Sequence, residues 1–203
     1  KYDPLYAQET YAFFDGLGNP TASKQGVFHE VVQRGEEDLG IFFFDEKGEK
    51  MKNKEKVYGY QILLDKEGRK EMVIALGKDG QGMINAEGIT QEKRYYDDDL
   101  LQARAFYGRN GSLRKEDSSG VAVVRFEYNT DSLPIKTSFF DEKENPVQHR
   151  KLGIFIEERT YDKNGNIVLW KGLDAEGNSL RDKKGSFSIA WIYDAFGSLV
   201  EEK

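Results

Sequence analysis

Cysteine is absent from this sequence, which excludes a disulfide framework and thiolate ligation of zinc. Histidine is scarce, with 2 residues, so few imidazole groups are available as bases or metal ligands. No apolar run approaches the roughly 20 residues that a membrane-spanning helix needs. Lys and Arg (30) are outnumbered by Asp and Glu (36), and the net charge of -6 argues against a nucleic-acid partner, because phosphate binding needs clustered cations.

Aromatic residues are abundant, with 13 Phe, 11 Tyr and 2 Trp. A chain of 203 residues with 38% hydrophobic content can bury a core, so we expect a folded protein despite a mean hydropathy of -0.71. Aromatic and β-branched residues favour strands. Only residues 98–104 have a helical composition, and their place in the repeat described next predicts the start of a strand instead.

A short motif recurs along the chain: a large apolar residue, Asp, two variable residues and Gly. The intact copies contain Asp15 and Gly18, Asp45 and Gly48, Asp65 and Gly68, Asp162 and Gly165, Asp174 and Gly177, and Asp194 and Gly197. They fall into two interleaved series, each with a period of about 32 residues. We therefore predict one repeat array over residues 1–203, with approximate repeats at 1–25 (partial), 26–55, 56–87, 88–119, 120–152, 153–184 and 185–203 (partial).

The chemistry of the motif predicts hairpin tips. Asp at the first position accepts a hydrogen bond from the backbone two residues on, and Gly at the fourth position adopts the left-handed conformation. A further Gly lies eight residues before each first-series turn, at Gly26, Gly88, Gly120, Gly153 and Gly185, with Lys56 in the second copy. Apolar residues alternate between this Gly and the turn, as in Phe187, Ile189, Trp191 and Tyr193, which is typical of a strand.

The predicted fold is all-β. Tandem β-hairpin repeats of about 32 residues would form an open twisted antiparallel sheet or a β-solenoid-like array, stabilised by stacking of neighbouring repeats. A closed six-repeat, propeller-like ring is the alternative, because the chain starts and ends at overlapping phases of the repeat.

No group of residues in this sequence has the pattern of a catalytic site. His29 and His149 stand at different repeat phases, and no Ser has the context of a nucleophile elbow. Glu30, Glu92 and Glu157 share one phase, which predicts an exposed acidic ladder or structural ion pairs with Lys or Arg. We therefore predict that the protein is not an enzyme.

Metal and cofactor sites are not expected either. Asp162, Asn164 and Asn166 alternate as calcium ligands do, but Gly165 comes too early for an EF-hand loop and Leu173 stands where its bidentate acid belongs. The acidic run at residues 97–99 and the glycine-rich segment 77–82 both coincide with predicted hairpin tips. The latter lacks the spacing of a phosphate-binding loop.

This sequence resembles two protein families in the spacing of its hairpin motifs. The Tyr-Asp-x-x-Gly hairpins at residues 161–165 and 193–197 resemble the YD or RHS repeats of bacterial surface and toxin-delivery proteins, and residues 42–48 and 139–146 are similar to hairpins of choline-binding and glucan-binding cell-wall modules. The sequence departs from both: it has two turns per repeat where YD repeats have one in roughly twenty residues, and only Trp170 and Trp191 where cell-wall modules have Trp in nearly every copy. The resemblance implies a non-enzymatic bacterial repeat protein that is exported.

These observations predict a non-catalytic binding or scaffolding module that contacts a protein partner through its sheet surface. The alternative is a glycan-binding or cell-wall-binding module that uses exposed aromatic residues, for which Trp170 and Tyr107 are the candidates. We expect no nucleic-acid partner and no transmembrane segment. The first residue is Lys1 and not Met, as in a processed precursor or a trimmed sequence. We expect a periplasmic, outer-surface or secreted protein.

Overall fold

The described chain consists of antiparallel strands joined by tight turns. The computed structural model describes residues 2–3, 7–194 and 196–203, and for residues 2–3 it describes the backbone alone. Lys1, on which the expectation of processing rests, lies outside these residues. The strands are β1 (Tyr2–Asp3), β2 (Gln8–Ala12), β3 (His29–Arg34), β4 (Asp38–Phe44), β5 (Gly59–Leu64), β6 (Lys70–Leu76), β7 (Gln91–Asp97), β8 (Leu100–Tyr107), β9 (Val123–Tyr128), β10 (Pro134–Phe140), β11 (Ile156–Tyr161), β12 (Ile167–Leu173), β13 (Ser188–Tyr193) and β14 (Leu199–Glu202).

The chain divides into two compact units. One comprises Lys1–Arg94 and Phe106–Leu113, and the other comprises Tyr95–Ala105 and Arg114–Lys203. Strands hydrogen-bond in chain order, with β1 and β14 as edge strands. The predicted all-β class and the open row of hairpins are confirmed, and the closed ring is not the arrangement that forms. Residues 98–104, as expected, lead into strand β8.

Turn chemistry sets the ends of the hairpins. Between β5 and β6, Asp65 Oδ1 accepts hydrogen bonds from the backbone N–H groups of Glu67 (3.1 Å) and Arg69 (2.8 Å). Gly68 has a φ of 78°, in the left-handed region that glycine adopts without steric cost. The register shifts between Leu63 and Leu64, which is the bulge that a hairpin of this type carries. The same Asp geometry recurs at Asp162, where the amides of residues 164 and 166 are the donors.

Each repeat contains a third turn where the sequence suggested only a polar loop. In residues 53–56, Asn53 Oδ1 accepts hydrogen bonds from the N–H groups of Glu55 (3.0 Å) and Val57 (3.2 Å). In residues 182–185, Asp182 Oδ1 does the same for Lys184 (2.9 Å) and Ser186 (2.8 Å). The first residue of this third turn varies along the chain, which hides the motif: Ser23, Asn53, Asn85, Glu116, His149 and Asp182.

The residue that follows the third turn forms the centre of the core. At this position five of the six copies have a β-branched apolar residue that is at most 4% exposed: Val27, Val57, Ile89, Val121 and Ile154. Val27 and Val57 pack with Phe43 and Ala75 in the first unit. Val121 and Ile154 pack with Phe139 in the second unit. The third turn thus presses an apolar side chain onto one face of the sheet.

Neighbouring repeats are joined by ladders of hydrogen bonds. Consecutive third turns are linked through the backbone, by Lys54 N to Gln25 O (3.0 Å) in the first unit and by Lys183 N to Leu152 O (2.8 Å) in the second. Three tyrosines of the first series add a second ladder in the second unit, since their hydroxyls donate to a carbonyl of the preceding hairpin: Tyr128 to Leu101 (2.8 Å), Tyr161 to Pro134 (2.8 Å) and Tyr193 to Ile167 (3.1 Å). These contacts give the Tyr of the Tyr-Asp motif a structural role.

Candidate interaction surface

The sheet of each unit has a core face and an outer face, which the strand register defines. In the first unit Ile41, Tyr60 and Ala75 are paired across β4, β5 and β6, and they pack against the third-turn valines, so their face is the core face. Gln33, Gly40 and Gln61 are paired across β3, β4 and β5 on the opposite, outer face. The outer face is half-exposed here, and it is the surface on which a partner can lie.

A groove of about 390 Å³ lies on the outer face of the first unit, lined by residues that include Gln33, Asp38, Gly40, Phe42 and Gln61. Gly40 leaves its floor without a side chain, and a Cβ there would lie 2.9 Å from Phe42 Cε2. The Phe42 ring therefore occupies the space above this mid-strand glycine. Gln61 Nε2 donates to Asp38 Oδ2 at 3.0 Å beside it. The groove offers an aromatic ring beside amide and carboxylate groups, which can contact a ligand through the ring face and through hydrogen bonds.

A second groove, of about 490 Å³, lies on the outer face of the second unit. Lys136, Glu158 and Lys171 line it and are paired in one row across β10, β11 and β12. Lys136 Nζ also lies 2.9 Å from Glu127 Oε1. Charges of opposite sign therefore alternate across this groove, an arrangement that favours a polar partner with a complementary pattern over an apolar ligand.

The two aromatic candidates from the sequence lie elsewhere. Trp170 is half-buried on the core face, where it packs against the cluster of Val121, Phe139 and Ile154. Tyr107 is also half-buried, at the end of β8, where its carbonyl accepts a hydrogen bond from Thr90 N (2.9 Å). Neither residue lines either groove. Other aromatic residues line the grooves, namely Phe42 in the first unit and Tyr161 in the second. Phe42 is marked in the sequence, because it is followed by two more Phe and preceded by a Gly inside a strand.

The glutamates that share one repeat phase lie on the core face. Glu157 Oε1 lies 2.7 Å from Arg159 Nη2, and Glu92 Oε1 lies 2.8 Å from Arg94 Nε. Burial raises the pKa of Glu30 at the same phase. Of the two alternatives for this phase, the structure has ion pairs at Glu92 and Glu157, and these pairs are intra-strand contacts between side chains two residues apart.

The two histidines have separate structural contacts. His29 Nδ1 lies 2.9 Å from the carbonyl oxygen of Asp45 in the first unit. In the second unit His149 Nδ1 accepts hydrogen bonds from Lys151 N (3.2 Å) and Leu152 N (3.3 Å), and its ring contacts Phe139 at 4.8 Å between centroids. Burial lowers the pKa of His149. Within the described residues, no three His, Asp or Glu side chains are grouped so that they could hold a metal ion.

The turn aspartates use their carboxylates within the turns. At Asp162 a hydrogen bond from the Asn166 side chain, together with backbone N–H donors, lowers the pKa of the carboxyl group. Asp174 has the same arrangement with Asn178. In both turns Oδ1 of the aspartate accepts hydrogen bonds from two backbone N–H groups, so the carboxylate caps the turn.

Comparison with known proteins adds no family assignment. No protein-family model matches the sequence, and no curated protein matches it. The class that the fold itself defines is an all-β hairpin-repeat protein with an open antiparallel sheet. Nowhere in the described residues is there a helix with the length and apolar composition needed to cross a lipid bilayer.

Proposed function

We propose that the chain is a non-catalytic binding or scaffolding module that contacts a protein partner through the outer face of its sheet. The observation that carries the proposal is the difference between the two faces. The chain's own third turns cover the core face, whereas the outer face has polar grooves beside Gly40 in the first unit and Glu158 in the second. Protein interfaces combine such hydrogen-bonding groups with a few aromatic contacts.

Following the resemblance to bacterial surface repeats, we also propose that the protein is exported or associated with the cell envelope. The repeat architecture supports a binding role, because stacked hairpins present an extended surface with a regular spacing of side chains. A partner that lies across several strands would contact side chains from several repeats at once.

Affinity purification from the native cell envelope, followed by binding measurements with the purified partner, tests this proposal. Gln33→Arg and Glu158→Arg place bulky or reversed charges on the outer face of each unit, and we expect at least one of them to weaken binding by about tenfold or more. Lys47→Glu at an exposed hairpin tip is the control. Unchanged affinity in both variants, with native melting temperatures, would contradict the proposal.

The groove of the first unit favours a second candidate, glycan binding. The groove is lined by the Phe42 ring, the amides of Gln33 and Gln61 and the carboxylate of Asp38. Aromatic rings of this kind stack on sugar rings, and amides and carboxylates bond sugar hydroxyls. Titration with peptidoglycan and glucan fragments, followed by calorimetry, tests this candidate. Glycan binding that is weakened by Phe42→Leu would support this candidate. No binding on a glycan array and none in the titration would exclude it.

A further inference from the structure

Five exposed cations cluster on two adjacent third turns of the second unit and at the residue directly before the second of them. We call this cluster the basic edge and define it as Arg150, Lys151, Arg181, Lys183 and Lys184. The turns are adjacent because Lys183 N donates to Leu152 O at 2.8 Å. The corresponding turns of the first unit mix Lys with Glu, as at Lys54 and Glu55. A positive cluster of this size stands out in a chain whose net charge is -6.

Two of these cations are held in place by the stacking of the repeats. A Cβ at Gly120 would lie 2.9 Å from Arg150 Nε, so the stem of this arginine rests on the glycine of the preceding turn. Its Nη1 donates to Asp117 O at 2.7 Å. A Cβ at Gly153 would lie 3.1 Å from Lys183 Cγ, which is the same contact one repeat later. Side chains ordered in this way lose less entropy when they bind a ligand.

The basic edge is not neutralised by the surrounding chain. Among the residues that the structure describes, none of its five cations forms an ion pair with a carboxylate. Asp182 lies within the edge, where its Oδ1 accepts the turn amides of Lys184 and Ser186, and its single negative charge leaves the five cations in excess. Asp117 is paired with Arg114 at 3.7 Å. By contrast, Lys115 in the same unit has Glu142 at 2.8 Å.

Apolar groups lie beside these charges. The Arg181 guanidinium carbon is 4.6 Å from the centre of the Phe187 ring, and Phe187 is 44% exposed. Leu152, in the first of the two turns, is 37% exposed. Carboxylates interspersed with apolar side chains match this combination better than a uniform chain of phosphates does, because arginine pairs with carboxylates and aromatic residues anchor protein interfaces.

We propose that the basic edge binds an acidic segment of a protein, one in which Asp or Glu residues flank apolar side chains. The edge is formed by the third turns and does not include the grooves of the outer face. The proposal therefore goes beyond the function proposed above and does not depend on it. Charge complementarity supplies the long-range attraction, and Leu152 and Phe187 supply the apolar contact.

Fluorescence anisotropy with the full chain and a labelled synthetic peptide, in which glutamates surround one Leu and one Phe, tests the proposal. We expect binding that weakens with added salt. Lys151→Glu with Lys184→Glu should weaken it by about tenfold or more, since neither side chain is packed against the fold. The matched control is Lys24→Glu with Lys47→Glu, which reverses two exposed lysines of the first unit and should leave the affinity unchanged.

Three results would overturn the proposal. The first is an equal loss of affinity in the two double variants, which would show attraction without a defined site. The second is no binding of the peptide at low salt. The third is tighter binding of single-stranded DNA, or of vesicles with equal parts of phosphatidylglycerol and phosphatidylcholine, which would assign the edge to a phosphate surface. The melting temperatures of both double variants establish that the comparison is made on folded protein.

Discussion

Trp170 donates a hydrogen bond from its indole Nε1 to Oε1 of Glu157, at 2.7 Å. The same carboxylate oxygen accepts a bond from Arg159 Nη2 at 2.7 Å, and the Glu157 side chain is 15% exposed. Trp170 also packs against the apolar cluster of the second unit. This relationship ties a candidate ligand-binding tryptophan to the stability of the sheet, and stability is what the first prediction addresses.

Replacing Trp170 should destabilise the second unit. Trp170→Phe removes the hydrogen bond but keeps most of the packing, and we expect a loss of about 1 kcal/mol. Trp170→Ala also removes the packing, and we expect about 3 kcal/mol. Urea unfolding followed by circular dichroism measures both. Trp191→Phe is the matched control, because the Trp191 indole bonds Glu202 at 2.9 Å at the exposed edge, and we expect a change below about 0.5 kcal/mol. Equal effects at the two tryptophans would contradict this reading.

Truncating the apolar residue after the third turn should destabilise the protein in either unit. Val57 and Ile154 are fully buried, and we expect losses of about 2 kcal/mol for Val57→Ala and about 3 kcal/mol for Ile154→Ala. Ser186 stands at the same repeat position but is only half-buried, so Ser186→Ala should change the unfolding free energy by less than about 0.5 kcal/mol. Thermal and urea unfolding provide the measurement, and a loss at Ser186 as large as at Val57 would count against the shared core.

Lys56 has a φ of 64° at a position where the other third turns have glycine. A side chain in the left-handed region is strained by about 1 kcal/mol. Glycine removes this strain, but the net gain in stability is smaller because glycine loses more entropy on folding. We expect Lys56→Gly to stabilise the protein by about 0.5 kcal/mol. The reciprocal variant Gly88→Lys, at a φ of 79°, should destabilise it by about 1 kcal/mol. Both are read from urea midpoints, and shifts in the same direction would disprove the explanation.

His149 should make the stability of the second unit depend on pH. Burial lowers the pKa of His149 in the folded state, and its Nδ1 must stay unprotonated to accept the two turn amides. A group with a lowered folded pKa binds a proton more tightly in the unfolded chain. Its contribution is therefore complete above the unfolded-state value of about 6.5 and is lost as the pH falls through the folded pKa.

The variant His149→Asn isolates this effect, because Asn begins the third turn at positions 53 and 85 and does not titrate. We expect the difference in unfolding free energy between pH 8 and about pH 5 to be smaller in the variant than in the natural sequence. Nearby Lys151 lowers the pKa of His149 further and Glu157 raises it, so both residues are left unchanged in the variant. Identical pH profiles would show that His149 is not the titrating group.

The strands and two of the three turns of each repeat could be predicted from local chemistry. Asp65 and Gly68 define their turn within four residues, and alternating apolar residues define the strands beside it. The third turn escaped prediction because its first residue varies from Ser23 to His149, and several side chains can accept the same backbone hydrogen bonds. The β-branched residue after the marker Gly is the feature of the sequence that indicates this turn.

The position of the surface residues was beyond local chemistry. Whether Trp170 faces solvent depends on which side of the sheet the third turn covers, and that is a contact between segments distant in sequence. The same holds for the basic edge, since Arg150 and Lys183 are 33 residues apart and their turns become adjacent only when the repeats stack. Positive and negative residues are mixed along the sequence, so this cluster is not visible in the order of the residues.

By itself, the sequence determined the all-β class, the period of about 32 residues and the two Asp-x-x-Gly turns of each repeat, because these depend on backbone conformations that a few neighbouring residues select. Only the tertiary structure decided which face of the sheet is buried and that the row of hairpins stays open. It also decided which aromatic rings and cations reach the surface. These features depend on packing between repeats, where a side chain such as Val57 finds its partners about 14 residues before it at Phe43 and 18 after it at Ala75.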